Sequence, residues 1–296
     1  MTHRPLWLLA APIVFLILWS AGFAIAKIAV THAAPLTVLA LRYGLVLVLL
    51  IPVALVVRPR FPSARGILDV AIVGFLIQVV YFGLCYVAFK SGVSAGAVAI
   101  IVCLQPILVA LVAPHLVGER VTAKGWLGLT LGLAGAALAI AGRSAIAAEN
   151  AFGVGLTFLA LFGITAGTLW EKRFGVSHHP VASNLIQYAV GTAFCLPAAL
   201  LFEDTAIDWA PEFLWAMAYL VLANSLLAMS LLLAMIRAGE VARVSSLFYL
   251  VPALSALFAW PMLGEAMPML GWAGMALAGL GVALVSRRRA KALWEP

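Results

Sequence analysis

The residues of this chain that could do chemistry are polar side chains placed inside long apolar stretches. Arg42 is the most informative, because it lies about six residues into such a stretch, roughly 9 Å from its start at 1.5 Å per residue. Burying a guanidinium there costs at least ~2.5 kcal/mol on the membrane-insertion scale, so the group needs a water-filled vestibule or an anionic partner. One hypothesis is that Arg42, together with Lys27, attracts a substrate carboxylate. The alternative is a structural ion pair with Glu265, or a side chain extended to the lipid headgroups.

Amide, hydroxyl and aromatic side chains recur at helical spacing in the other apolar stretches. Gln78, Tyr81 and Cys85 share one helix face in this way. Polar groups deep in a bilayer are costly unless they face a cavity or a partner helix. For any one residue, a hydrogen bond between neighbouring helices, contributing on the order of 0.6 kcal/mol, is an equal alternative. For the whole set the sequence favours an amphipathic cavity lined by Trp19, Phe23, Arg42, Gln78, Tyr81, Gln105, Trp170, Gln187, Tyr188, Asn224, Ser245 and Tyr249.

Two prolines lie inside apolar stretches at related positions, Pro106 and Pro252. A proline in mid-helix removes one backbone hydrogen bond, which permits a bend and frees a carbonyl. The pair is therefore predicted to form gating hinges, with static kinks that shape a cavity as the alternative.

Catalysis and cofactor chemistry find little support in the sequence. The segment 92–96 matches the G-x-S-x-G pattern, but it opens an apolar helix rather than following a strand, and the histidines fall in loops or helix ends. No phosphate-binding or dinucleotide-binding motif is present, so no cofactor is predicted. Cys85, Cys103 and Cys195 lie in apolar stretches without metal-ligand spacing, so no metal site and no catalytic residue is predicted.

The elements that must position these residues are membrane-spanning helices. Of the 296 residues, 65% are hydrophobic and 10% are charged, against roughly 45–50% and about 25% in soluble chains. With about 20 residues per span, the chain is predicted to be an all-α integral membrane protein with ten transmembrane helices. The predicted spans are 6–28, 36–57, 66–89, 93–116, 123–142, 153–173, 181–202, 212–236, 241–262 and 268–286.

The chain also contains an internal repeat. The stretch Pro106–Leu138 recurs 146 residues later with 14 of 33 positions identical, including the spaced set Pro…Gly-Glu…Gly-Trp-x-Gly. We therefore expect two homologous units, residues 1–148 and 149–296, of five helices each. Because five is an odd number of crossings, the second unit enters the membrane from the opposite side, which makes the units inverted repeats.

The distribution of cations predicts the orientation of the chain. If the N-terminus is inside, 14 of the 18 Lys and Arg residues fall in inner segments, so both termini are predicted to be cytoplasmic. The basic charge, pI about 9.7, is therefore assigned to membrane topology and not to nucleic-acid binding. The glycine-rich fifth and tenth spans allow close helix packing and offer a possible homodimer contact.

The sequence resembles the EamA group of the drug/metabolite transporter superfamily. The resemblance rests on the segments 18–23 and 41–43, on the Gln105–Pro106 and Val251–Pro252 pairs, and on the Gly-Glu turns that follow. It implies a ten-helix transport protein of the inner membrane, with a central cavity lined by helices 1–4 and 6–9. We thus expect an alternating-access exporter of amino acids or related amphipathic small molecules. A non-transporting scaffold or sensor and an importer of an anionic metabolite are the alternatives.

Ion coupling has little support, because no Asp or Glu lies near the centre of a predicted span. Glu171 comes nearest, but it stands beside Lys172 and Arg173 at the end of the sixth span, which favours an interfacial charge cluster. Facilitated exchange, or coupling through a group that the sequence does not identify, is therefore expected.

Overall fold

A computed structural model of the protein describes residues 6–105, 107–109, 111–112, 126–128, 130–131, 134–135, 138, 151–175, 178–231, 235, 251–264, 268–277 and 279–280. These residues are helical, apart from short connections. The labelled helices are α1 (Leu6–His32), α2 (Pro35–Val57), α3 (Ala64–Gly74), π1 (Phe75–Tyr81), α4 (Phe82–Lys90), α5 (Ala95–Val102), α6 (Ala151–Trp170), π2 (Glu171–Gly175), α7 (Pro180–Phe202), α8 (Pro211–Ala218), π3 (Tyr219–Ala228) and α9 (Val251–Leu263).

Local sequence signals set where these helices begin. Three of them, α2, α7 and α8, start with a proline, whose fixed φ and missing N–H suit the first helical position. Ser63 and Ser94 cap α3 and α5 by accepting hydrogen bonds from Gly66 N and Ala97 N. Ser94 is the serine of the G-x-S-x-G match, and its hydroxyl therefore serves a helix start.

The outer surface of the bundle is apolar along the helices. Val56 is 84% exposed, Phe202 81% and Leu201 75%, which water would not favour over such an area. Within the described residues, six helices are long and apolar enough to cross a membrane: 10–32, 35–57, 64–90, 151–174, 180–202 and 211–231. They coincide with the predicted first, second, third, sixth, seventh and eighth spans. Shorter apolar helices, 95–109 and 251–263, lie in the predicted fourth and ninth spans.

Helices from the two predicted units pack against each other in a reciprocal way. α2 packs along α7. α1 packs against π3 and α9 of the second unit, and α6 packs against π1 and α4 of the first. α5 and α9 also contact each other. The interior buried by these contacts holds the polar residues considered below.

Three spans contain a π-helical segment that the sequence analysis did not predict. Helices α3, π1 and α4 follow one another in the third predicted span, α6 and π2 in the sixth, and α8 and π3 in the eighth. A π-helical turn bonds residues five apart and is frequent at functional sites. Here π1 and π3 lie in the middle of their spans, where they carry Gln78 and Asn224.

Candidate functional site

The polar centre of the structure is built around Arg42, which is 2% exposed. Its Nε donates to Ser225 Oγ, its Nη1 to Tyr86 OH and its Nη2 to Asn224 Oδ1, each at 2.9 Å. These partners come from α4 in the first unit and π3 in the second. None of them is an anion, and no carboxylate contacts the guanidinium within the described part of the chain. Glu265, the predicted alternative partner, lies outside the described residues.

Aromatic rings surround the same guanidinium. Arg42 Cζ lies 4.9 Å from the centre of the Phe82 ring and 6.0 Å from that of Tyr43. A cation over a ring face gains electrostatic energy, most when both groups are desolvated. Aromatic rings and neutral hydrogen-bond acceptors thus surround the Arg42 guanidinium in place of water. None of its described contacts is a negatively charged group.

Two tyrosines meet beside this cluster, where α2 packs against α7. The rings of Tyr43 and Tyr188 have centroids 5.6 Å apart. Tyr43 OH donates to the carbonyl of Gln78 in π1 at 2.8 Å, and Tyr188 OH donates to the carbonyl of Ser225 in π3 at 3.3 Å. Each tyrosine therefore bonds a backbone carbonyl of a π-helical segment, one in each predicted unit.

Two buried glutamines adjoin the tyrosine pair, since the Gln78 carbonyl accepts from Tyr43 OH and Gln187 directly precedes Tyr188. Gln78 is 1% exposed and Gln187 6%. Both atoms of the Gln78 amide and the Oε1 of Gln187 are buried without a hydrogen-bond partner in the described structure. Buried polar groups are rarely left in this condition, so each such atom calls for an explanation.

Helix α1 closes another side of the cluster. Asn224 donates through Nδ2 to the carbonyl of Leu18 at 3.3 Å, so its amide joins α1 to Arg42. A Cβ added at Gly22 would overlap the Asn224 amide, which explains why glycine is needed there. Trp19 and Phe23, both predicted to line the cavity, are buried at 7% exposure on the same helix.

Two predicted cavity residues take part in other contacts. Trp170 lies at the end of α6, half-buried, and its Nε1 donates to Asp69 Oδ1 at 3.1 Å. Gln105 donates through Nε2 to Thr168 Oγ1 at 2.8 Å. Both bonds join helices of different units, and neither residue contacts Arg42. These side chains tie helices together, while their place in a cavity remains a prediction.

The remaining predicted residues divide between described and undescribed parts of the chain. Tyr81 is 1% exposed, and its ring lies 4.7 Å from that of Phe82, centroid to centroid. Pro252 is buried in α9. Pro106, Ser245 and Tyr249 lie outside the described residues.

Sequence reasoning missed Tyr86, which is as close to Arg42 as the two π3 residues. Tyr86 follows Gln78 and Phe82 at intervals of four residues, so the face that the sequence singles out continues to it. Tyr43 was also missed as a site residue. It belongs to the segment 41–43 that carries the family resemblance, but the sequence did not place it among the cavity residues.

Polar contacts between the two units also close the end of the bundle where α1 ends and α2 begins. Glu203, after α7, accepts from Leu36 N, Thr37 N and Thr37 Oγ1 at 2.9 to 3.0 Å. His32 Nδ1 lies 2.8 Å from Asp208 Oδ2. Lys27, the predicted companion of Arg42, donates instead to the carbonyl of Val93 at 2.9 Å.

Comparison with known proteins places this arrangement in a family. The model of the EamA-like transporter family matches residues 5–141 and again residues 151–287. A solved crystal structure of a protein superposes with a TM-score of 0.72, covering 96% of this chain and 98% of that chain at 19% identity, which shows a shared fold.

Curated relatives at low identity bear transport names. "Uncharacterized inner membrane transporter YedA" of Escherichia coli (strain K12) is 25% identical over 91% of this chain and 87% of its own length. "Probable amino-acid metabolite efflux pump" of Salmonella typhimurium is 22% identical over 89% and 87%. "S-adenosylmethionine/S-adenosylhomocysteine transporter" of Chlamydia trachomatis is 28% identical over 85% and 80%. Since the family model matches nearly the whole chain in two ranges, the protein belongs to the EamA-like transporter family and is a membrane transporter of the drug/metabolite type.

Proposed function

We propose that this protein is an alternating-access carrier of the inner membrane that exports amino acids or related amphipathic compounds. The observation that carries the proposal is the environment of Arg42, a fully buried cation whose described contacts are neutral. A buried charge is costly unless something neutralises it during the working cycle. A substrate carboxylate is such a group. The hydrogen-bond partners of Arg42 come from both units, so a substrate bound there would contact the two parts that move.

Alternating access requires two units related by inverted symmetry, and several features support ten helices in that arrangement. The family model matches the chain twice, close to the proposed units 1–148 and 149–296. The π1 and π3 segments occupy the middle of the third spans of their units, and each bonds a tyrosine of the preceding span. On this proposal both termini are cytoplasmic, and Pro106 and Pro252 are the bending points.

The substrate class is supported by the chemistry of the cluster. Arg42 suits a carboxylate, the buried glutamine amides suit a polar head, and Tyr81, Phe82 and Phe23 suit an apolar body. One relative is named for amino-acid metabolite efflux and another for S-adenosylmethionine, a molecule with an amino-acid end. Facilitated movement without an ion gradient is the proposed energetics. A homodimer through the glycine-rich fifth and tenth helices is a further part of the proposal.

The experiment that tests this function is flux through purified protein in liposomes. Labelled amino acids, organic cations and small organic anions are assayed with and without a pH gradient. We expect saturable, competable flux of one or more amino acids that does not depend on the gradient.

The alternatives give different results in the same assay. A folded protein that moves no solute would support a scaffold or sensor. Saturable flux restricted to anions without an ammonium group would support an importer of an anionic metabolite. Gradient-dependent flux would contradict facilitated movement and direct attention to Glu171, whose Oε2 is buried without a hydrogen-bond partner among the described residues.

A further inference from the structure

Gln78 and Gln187, whose side chains hold buried polar atoms without partners, each lie against a glycine of the neighbouring helix. A Cβ on Gly191 would lie 3.0 Å from the Cβ of Gln78, and a Cβ on Gly74 would lie 2.8 Å from the Cα of Gln187. Gly74 precedes Gln78 by four residues, and Gln187 precedes Gly191 by four. Each glutamine therefore packs on a glycine of the neighbouring helix, and the two contacts lie one helical turn apart along the helices.

Close packing explains the glycines but not the amides. A leucine would fill the same space without burying polar atoms that lack partners, and leaving such atoms unbonded costs free energy. Asn224 shows what a satisfied amide at this depth looks like, because its Oδ1 accepts from Arg42 and its Nδ2 donates to Leu18 O. Gln78 in π1 stands 146 residues before Asn224 in π3, yet its side chain bonds nothing in the described structure.

The two glutamines lie next to the Arg42 cluster. Phe82, whose ring lies 4.9 Å from Arg42 Cζ, follows Gln78 by four residues on the same span. Tyr43 joins Gln78 to this cluster, since its hydroxyl bonds the Gln78 carbonyl and its ring centre lies 6.0 Å from Arg42 Cζ. Gln78 and Arg42 are thus both neighbours of Tyr43, an arrangement that suits a small molecule with two polar groups close together.

We propose that Gln78 and Gln187 form the subsite for the ammonium group of a zwitterionic substrate whose carboxylate binds Arg42. This inference rests on the proposed transport function and specifies its substrate class. An ammonium group has three donors and no acceptor, and each glutamine oxygen offers two lone pairs. Both unpartnered Oε1 atoms are acceptors for it, while Gln78 Nε2 remains free to donate to the carboxylate.

The charges of the cluster reject molecules that carry one ionic group alone. A monovalent cation at this place would meet the guanidinium of Arg42 without an anion between them. An anion without an ammonium group would leave the two amide oxygens without donors. Only a molecule with both groups, such as an α-amino acid, satisfies the whole set.

The first test compares ligands that differ by one group. Thermal unfolding of the purified protein is measured with the twenty amino acids, and for leucine also with leucinamide and 4-methylpentanoate, which lack the carboxylate and the ammonium group. A ligand that binds the folded state raises the melting temperature by mass action. We expect at least one amino acid to raise it. For leucine, or for whichever amino acid binds, each truncated analogue is expected to bind about ten- to hundredfold more weakly, the loss of a charged hydrogen bond.

The second test replaces the amides themselves. In Gln78→Leu and Gln187→Leu, the melting temperature without ligand should stay level or rise, because an unbonded amide is removed, while amino-acid binding falls about tenfold or more. Gln105→Leu is the matched control for stability. Its amide already bonds Thr168, so this variant should melt earlier without ligand.

The outcomes separate this inference from the transport function. If 4-methylpentanoate binds as tightly as leucine, or if the leucine variants keep full amino-acid binding, the ammonium subsite is wrong and the carrier function stands. A drop in melting temperature of Gln78→Leu as large as that of Gln105→Leu would show a structural role and overturn the inference. If liposome flux is seen for cations but for no amino acid, the zwitterion class is wrong. Folded protein that moves no solute overturns both proposals.

Discussion

Replacing Arg42 with glutamine should abolish transport of a carboxylate substrate while lowering stability by only about 2 kcal/mol. The variant keeps an amide of similar length but removes the positive charge and the forked set of donors. Tyr86, Asn224 and Ser225 then lose the partner to which each is bonded at 2.9 Å. A substrate carboxylate loses the guanidinium that we propose it binds.

The stability effect follows from two opposing terms. Three hydrogen bonds from a charged donor, at about 1.5–3 kcal/mol each, represent at least about 4.5 kcal/mol of lost stabilisation. Removing a guanidinium that is 2% exposed returns at least ~2.5 kcal/mol, the cost of placing it in a membrane helix. The expected net loss is therefore about 2 kcal/mol, a fall of roughly 4–8 °C in melting temperature for a protein of this size.

The assay measures amino-acid flux in liposomes and melting temperature on the same preparations, with Arg42→Lys as a second variant. Lysine restores the charge but not the fork that bonds three partners, so partial flux is expected. The reasoning is refuted if Arg42→Gln transports normally and melts much earlier. That result would make Arg42 a structural tie between helices.

Three further predictions concern contacts between the units. Glu203→Gln should destabilise the protein by about 1 kcal/mol, seen in thermal unfolding, because a charged acceptor at the N-terminus of α2 becomes neutral. Gly191→Ala should cost about 1–3 kcal/mol by overpacking, since its Cβ would lie 2.8 Å from a tyrosine ring, whereas Gly155→Ala has open space and should cost nothing; equal melting temperatures would contradict this. Trp170→Phe removes the bond to Asp69 and should cost about 1 kcal/mol, with an unchanged melting temperature as the contrary result.

The sequence predicted which residues are polar and buried better than it predicted what each one contacts. Spacing identified Arg42, Gln78, Gln187 and Asn224 as unusual inside apolar helices, and the structure buries all four. Composition and the apolar periodicity also predicted the six long helices. Both successes follow from the same physics, because polar groups and charges in a bilayer stand out against the residues that lipid requires.

Contacts depend on rotation and register, which spacing leaves open. Trp170 has the depth of a cavity residue, yet its indole N–H meets Asp69 because of how α6 is turned against α3. The π-helical segments add a shift of their own, since one extra residue in a turn rotates everything that follows. Helical spacing places Tyr86 on the face of Gln78 and Phe82, but only the packing of α4 against α2 shows that this face meets Arg42.

The search for an anionic partner of Arg42 illustrates the same limit. Burial of a guanidinium argued for a counter-ion or water, but the described structure surrounds it with two hydroxyls, an amide oxygen and aromatic rings. The delocalised charge of arginine accepts such partners, which a compact ammonium would find less favourable. Sequence alone does not show that neutral groups from two spans converge on one point.

The two units differ in the polar residue that precedes the tyrosine bonded to a π segment. Tyr43 and Tyr188 each bond a carbonyl of a π segment, and the residues that precede them are Arg42 in one unit and Gln187 in the other. Arg42 is bonded to π3 across the boundary between the units, whereas Gln187 and the buried Gln78 hold open hydrogen-bonding atoms. On the proposed mechanism, the substrate hydrogen-bonds to the unpartnered amide atoms of the two glutamines and accepts a hydrogen bond from Arg42. Arg42 then bonds π3 less strongly, which weakens the contact between α2 and π3. Binding would then shift the balance between conformations by its different affinity for them, which is the condition that a carrier has to meet.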